Sequence, residues 1–223
     1  MPDLEAIKKQ ANEQGTDKTF GDYKEQVYGF FEKQLSLNNI TLGISGKNQD
    51  KDRKPIDTII IHHTKNSPGL TPERLSAMEL VRLYATYYAS PTYEADSDFR
   101  GQPIYSGHFR NGKQVFWPYH WIVRQDGNVE RLLLDNEIGW QAGNWDINCR
   151  SVAIVFDHNY IDSAPSTIEL QAVANIIKNN YSNVPKSNIF GHCEVKATTV
   201  CPSKLFLDHD GQRGWKHGLL DLL

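Results

Sequence analysis

DTIIIHHT, residues 57–64, reads as a strand and decides the class of fold. Thr58, Ile59, Ile60 and Ile61 are four consecutive β-branched residues, which suit a central strand buried on both faces. The run ends on a histidine pair. Successive side chains of a strand point to opposite faces, so a metal held on one side of the sheet can use only one of His62 and His63.

Working outward, SVAIVFD at 151–157 gives a second buried strand, and YHWIVRQDGNVERLLLD at 119–135 gives a hairpin around Asp126-Gly127, a dipeptide suited to a tight turn. In TPERLSAMELVRLYATYY, Thr71 is an N-cap and Pro72 suits the first helical position, while Leu75, Met78, Val81, Leu83 and Tyr84 supply an apolar side; the expected helix runs from about 72 to 88. Ser166 and Glu169 form a capping box that opens a helix through Val173, Ile176 and Ile177 to about Tyr181. WKHGLLDLL reads as a closing helix. Strands and helices alternate, but the hairpin interrupts the alternation, so the expected fold is a single α/β domain with a central mixed β-sheet covered by helices. Neither a G-x-G-x-x-G nor a Walker loop occurs, which argues against a nucleotide-binding fold.

Residues 1–50 are polar apart from FGDYKEQVYGFFEKQLSL, where Phe20, Tyr23, Val27, Phe30, Phe31 and Leu35 recur at helical spacing. They read as an N-terminal helical extension packed on the main body, followed by a charged loop at 43–55. Residues 51–223 then form the main domain, with an insertion at about 67–117. The part of that insertion from 89 on lacks periodicity and reads as a long loop or an irregular insert, either a recognition element or a solvated connector.

Composition narrows the partners. The chain has 223 residues, 24 Lys and Arg against 27 Asp and Glu, and a formal net charge of −3, so neither nucleic acid nor an anionic membrane is an expected partner. No stretch approaches the roughly 18 apolar residues of a membrane span, and MPDLEAIKKQANEQ has no export signal, which predicts a cytoplasmic protein or one delivered to the wall or secreted by a separate route. Three cysteines, at 149, 193 and 201, are odd in number and too sparse for a disulfide framework.

GHCEVKATTVCPSKLF, residues 191–206, concentrates the chemistry. Cys193 and Cys201 invite a disulfide, though no C-x-x-C spacing indicates thiol exchange. A nucleophilic cysteine served by His192 is a second reading, a metal site a third, and plain buried cysteines a fourth. Catalytic zinc takes three protein ligands and leaves a fourth position open, and the histidine doublet at 62–63 is the natural source of the missing donor.

In their order, DTIIIHHT, YHWIVRQDGNVE, IGWQAGNWDINCRSVAIVF and GHCEVKATTVCPSKLF resemble the motifs of the type 2 N-acetylmuramoyl-L-alanine amidases, a family that includes phage endolysins, bacterial wall-recycling amidases and animal peptidoglycan recognition proteins. The resemblance covers residues 55–223 apart from the insertion. It implies the family's α/β fold and one Zn²⁺ per chain on His62, His192 and Cys201, with His63 turned elsewhere. It further implies Tyr119 and Thr199 as catalytic donors, Trp140, Gln141 and Asn144 as substrate contacts, and Cys193 as a buried bystander. The implied reaction is hydrolysis of the amide between N-acetylmuramic acid and L-alanine, in peptidoglycan or soluble muropeptides, by a monomer. Gln141 stands where many members carry histidine, and Val155 where recycling amidases carry glutamate. Two other functions compete: a non-catalytic peptidoglycan-binding module, a class that typically loses the cysteine ligand, and a cysteine hydrolase using Cys201 with His192 as base.

Overall fold

The two β-branched runs lie side by side at the centre of a five-stranded sheet. The computed structural model describes residues 18–40, 42–83 and 104–223, with side chains of the first helix from residue 25 on. Strand β1 (Thr58–His63) pairs in parallel with Ser151–Phe156, from Thr58 opposite Ser151 to His63 opposite Phe156. All twelve side chains of the two strands are buried.

The remaining strands follow from local signals. Strands β2 (Phe109–Arg110) and β3 (Lys113–Gln114) form a separate short hairpin. Strands β4 (Trp121–Val123) and β5 (Val129–Arg131) pair antiparallel around the Asp126-Gly127 turn, where Gly127 has φ +85°. With β6 (Ser151–Phe156) and β7 (Ile189–Gly191), the large sheet has the order β5-β4-β6-β1-β7, parallel except at β5. This is the mixed sheet that the interrupted alternation predicts.

Alternation along β1 assigns its two faces. Ile59 and Ile61 join Val152, Ile154 and Phe156 in a core with Val173, Ala174, Ile177, Phe206, Trp215 and Leu219. Burying each such large side chain contributes about 1.5–3 kcal/mol. Ile60 and His62 point the other way, and His62 meets Gln141 of the chain segment between β5 and β6. That segment ends in a one-and-a-half-turn helix, Trp145–Arg150, which Asn144 caps by accepting the Ile147 N–H.

The chain divides into two compact units. One comprises Gln49–Leu70 and Trp117–Leu223 and contains the large sheet; the other draws on Met1–Asn48 and Thr71–Phe116. The second unit holds α1 (Lys18–Ser36) and α2 (Pro72–Leu83), with Phe31, Ala77, Leu80, Ile104 and Phe116 as its buried core. Arg74 ties the two helices together through Glu25 and Glu32 at 2.9 and 2.5 Å. Adjacent helical residues diverge by about 100°, so Phe31 is buried while Phe30, expected on the same apolar side, is 41% exposed. Phe20 and Tyr23 lie in the first helix, their side chains outside the described part, and the expected end of the second helix at 84–88 lies outside the described residues. The hairpin β2–β3 falls in the segment read as loop; its turn is Asn111-Gly112, with φ of +52° and +73°, the Asn-Gly pair that a two-residue hairpin requires.

The helices of the first unit are α3 (Trp145–Arg150), α4 (Thr167–Asn180), α5 (His192–Val195) and α6 (Trp215–Asp221). Helix α4 opens on the expected capping box. Ser166 Oγ accepts the Glu169 N–H, and Glu169 Oε2 accepts the Ser166 N–H at 2.9 Å.

Candidate metal centre

Strand register brings the first two ligand candidates together. Gly191 pairs with Ile61 on adjacent parallel strands, so the residues that follow, His192 and His62, emerge side by side with ring centroids 4.7 Å apart. Cys201 returns to them through the loop after α5. In that loop the Thr199 N–H donates to the Lys196 carbonyl, the Cys201 N–H donates to Thr199 Oγ1 at 3.1 Å, and the Cys193 N–H donates to the Cys201 carbonyl at 2.7 Å. Gly191 makes this approach feasible. A Cβ there would sit 2.5 Å from the Phe206 ring and 2.8 Å from Pro202, so a side chain would push the ligand loop off the strand.

Donor atoms of His62, His192 and Cys201 all lie within 4.8 Å of one another, the one such His, Cys, Asp or Glu group among the described residues. His62 Nδ1 stands 3.6 Å from Cys201 Sγ. Tetrahedral zinc, with Zn–N of about 2.0–2.1 Å and Zn–S of about 2.3 Å, places an N and an S ligand about 3.5 Å apart. His192 Nε2 is buried without a hydrogen-bond partner among the described residues, which fits a ring whose partner the protein does not itself supply. Two imidazoles and one thiolate form a zinc donor set that leaves one tetrahedral position for water or substrate.

Electrostatics keep both imidazoles neutral, the form that binds a metal. Burial pushes the His62 pKa well below its ordinary value, helped by His192 and opposed by its bond to Gln141. Burial, then the charge of Lys196, lowers His192 to about 4. Burial raises the Cys201 thiol to about 12, so the protein by itself holds it protonated and a bound cation is what favours the thiolate.

The other anticipated residues are distributed around this cluster. The Tyr119 ring, half-buried, lies 5.1 Å from that of His62. Thr199 is also half-buried, and because its oxygen accepts the Cys201 N–H, its own proton is left to donate. His63 turns to the opposite face, where Nδ1 accepts the Tyr160 N–H at 2.9 Å. Trp140 packs edge-on against Trp145, which is 39% exposed. Asn144 spends its side-chain oxygen on the helix cap. Gln141 is buried, with its carboxamide between His62 and Ser151. All three cysteines are free thiols, Cys149 and Cys201 buried and Cys193 half-buried.

Several residues that organise the site escaped the sequence reading. Lys196 lies one helical turn from His192, and its chain runs over Gly143, where an added Cβ would meet Cδ at 2.9 Å. Gly143 has φ +68°, and its position in GWQAGNW is the signal that a close approach occurs there. Arg53, bonded to the carbonyls of Asp135, Asn148, Cys149 and Ser151, and His120, bonded to the backbone of Glu137 and Ala153, cross-link backbone segments and carry no spacing signal.

A family model described as N-acetylmuramoyl-L-alanine amidase (Amidase_2) matches residues 52–204. No curated protein matches the sequence. Among solved structures, the chain is similar to the endolysin N-acetylmuramoyl-L-alanine amidase LysCS from Clostridium intestinale, with 20% identity and a TM-score of 0.47, covering 74% of this chain and 86% of that one. It is also similar to the Drosophila peptidoglycan recognition protein SD, with 15% identity and a TM-score of 0.47, covering 79% of this chain and 94% of that one.

Proposed function

The chain belongs to the N-acetylmuramoyl-L-alanine amidase family, and from that premise we propose that it is a zinc-dependent hydrolase of the amide between N-acetylmuramic acid and L-alanine, acting on peptidoglycan or its soluble fragments. The observation that carries the reading is the cluster of His62, His192 and Cys201, with its 3.6 Å spacing between nitrogen and sulfur. These residues would hold the metal. Zinc in such a site supplies a nucleophile from water near neutral pH and polarises the scissile carbonyl.

The chain's own groups then bind and orient. Tyr119, beside His62, would donate its hydroxyl proton to the carbonyl oxygen as negative charge develops there. Thr199 would donate from the ligand loop, more weakly than a cation would because it brings no charge. Trp140 and Trp145 offer aromatic surface next to the site, suited to the apolar faces of a sugar ring. Retention of Cys201 favours catalysis over simple recognition, because the thiolate completes the three-ligand set.

Mass spectrometry of products from purified sacculi and from soluble muropeptides, with and without chelator, tests the reading. Release of free stem peptide that stops with chelator and returns with zinc is expected. Tight binding without cleavage by zinc-loaded protein would favour the recognition-module alternative, and cleavage that survives chelation but not thiol alkylation would favour the cysteine hydrolase.

A further inference from the structure

We propose that Gln141 is the positioning residue of this metal centre, holding His62 in the one tautomer that aims a lone pair at the ligand cluster; the proposal deepens the zinc-amidase reading and rests on it. Gln141 Oε1 lies 2.6 Å from His62 Nε2, and Gln141 Nε2 donates to Ser151 Oγ at 2.9 Å. Gln141, His62 and Ser151 are all buried, so water does not substitute for these bonds.

A neutral imidazole carries its proton on one nitrogen and its lone pair on the other. When the carboxamide presents oxygen, Nε2 must hold the proton and donate it, which leaves the Nδ1 lone pair facing Cys201 Sγ. When the carboxamide presents its NH₂ group, the tautomer inverts and Nδ1–H faces the cluster, where it cannot ligate. The direction of one amide therefore decides whether His62 is a ligand. Ser151 Oγ fits this role because a hydroxyl can accept from the amide NH₂.

The backbone holds Gln141 in place. Asn148 Oδ1 accepts the Gln141 and Ala142 N–H groups at 3.3 and 2.8 Å, and Ser151 begins β6, which lies between β4 and β1 in the sheet and pairs with Thr58 of β1 at this position. The chain Ser151–Gln141–His62 thus runs from the rigid centre of the sheet to the ligand atom. With both ends of its carboxamide engaged, Gln141 orients a ligand rather than contacting substrate.

The test compares Gln141→Met, which keeps length and removes the acceptor, with Gln141→Glu, which restores an acceptor that Ser151 can bond as donor. The probe is Co²⁺, read by its ligand-field spectrum and by chelator competition. Loss of an outer partner typically weakens metal affinity 10–100-fold, so Gln141→Met is expected to fall in that range with an unchanged KM once metal-saturated, and Gln141→Glu to recover native affinity within a few-fold. Long-range nitrogen–proton NMR of metal-free protein is expected to find His62 protonated on Nε2 in the native chain and a tautomer mixture in Gln141→Met. Native cobalt affinity in Gln141→Met with a raised KM, or a His62 protonated on Nδ1 in the native chain, overturns the proposal. The expected tautomer in a native protein that takes up no cobalt would instead sink the zinc-amidase reading and leave the positioning of His62 intact.

Discussion

His62 Nδ1 and Cys201 Sγ lie 3.6 Å apart although 139 positions separate them in the chain. A contact of this length matches the nitrogen–sulfur separation that two ligands of one tetrahedral zinc would have. Replacing His62, His192 or Cys201 with alanine is therefore expected to empty the site and abolish amide cleavage. His63→Ala should retain most of its zinc, since the ring it removes bonds the Tyr160 amide. Elemental analysis after dialysis against trace zinc reads this directly. An empty site in His63→Ala beside a full one in His62→Ala would reverse the ligand assignment.

Tyr119 sits by the cluster without joining it. Tyr119→Phe should bind one zinc per chain and bind substrate with little change, while turnover falls roughly 10²- to 10³-fold, the usual loss for one oxyanion donor. Single-turnover kinetics at saturating substrate separates the two effects. A native rate would remove the hydroxyl from the mechanism.

The sheet and the residues that cluster as His62, His192 and Cys201 were readable because each left a local or ordered trace. Four β-branched residues mark β1, a Ser-x-x-Glu box marks α4, and the order of four motifs carries the family resemblance. The parity of His62 and His63 followed from strand geometry alone. What escaped depends on partners distant in sequence. The resemblance marks Gln141 and Asn144 as substrate contacts, but nothing local in the sequence shows that the Gln141 carboxamide lies between His62 and Ser151 or that the Asn144 oxygen caps a helix at Ile147. The Asn111-Gly112 hairpin carries a turn signal, but its strands are only two residues long, too short to show an alternating pattern.

Arg53 belongs to the same hidden class. From a charged stretch read as loop, its guanidinium donates to the carbonyls of Asp135, Asn148, Cys149 and Ser151 at 2.7 to 3.3 Å, gathering the end of α3 and the start of β6. Arg53→Met should lower stability by roughly 2–4 kcal/mol, since charged hydrogen bonds are lost and carbonyls are left unpaired. Arg53→Lys should restore only a minor part, because one ammonium cannot reproduce the planar fork. Urea unfolding at fixed pH measures both, and a native midpoint in Arg53→Met would refute the argument.

His120 supplies the pH dependence, and its two ring nitrogens dictate the sign. Nδ1 accepts the Ala153 N–H at 3.1 Å, and Nε2 donates to the Glu137 carbonyl at 3.0 Å. A second proton would have to enter at Nδ1, against an N–H already pointing there. Burial, reinforced by the nearby charge of Arg53, accordingly lowers the folded pKa to about 3, whereas the unfolded chain titrates at about 6.5. Above the unfolded value both states are neutral and the stabilisation is complete. As pH falls from about 6.5 toward 3, the unfolded state takes up a proton that the folded state refuses, so His120 costs about 1.4 kcal/mol of stability per pH unit. The folded-state resonances of His120 should stay at their neutral positions down to pH 4 or the onset of unfolding, with Nε2 carrying the proton. A midpoint near 6.5 in the folded protein would show that the ring is not held between the two backbone groups.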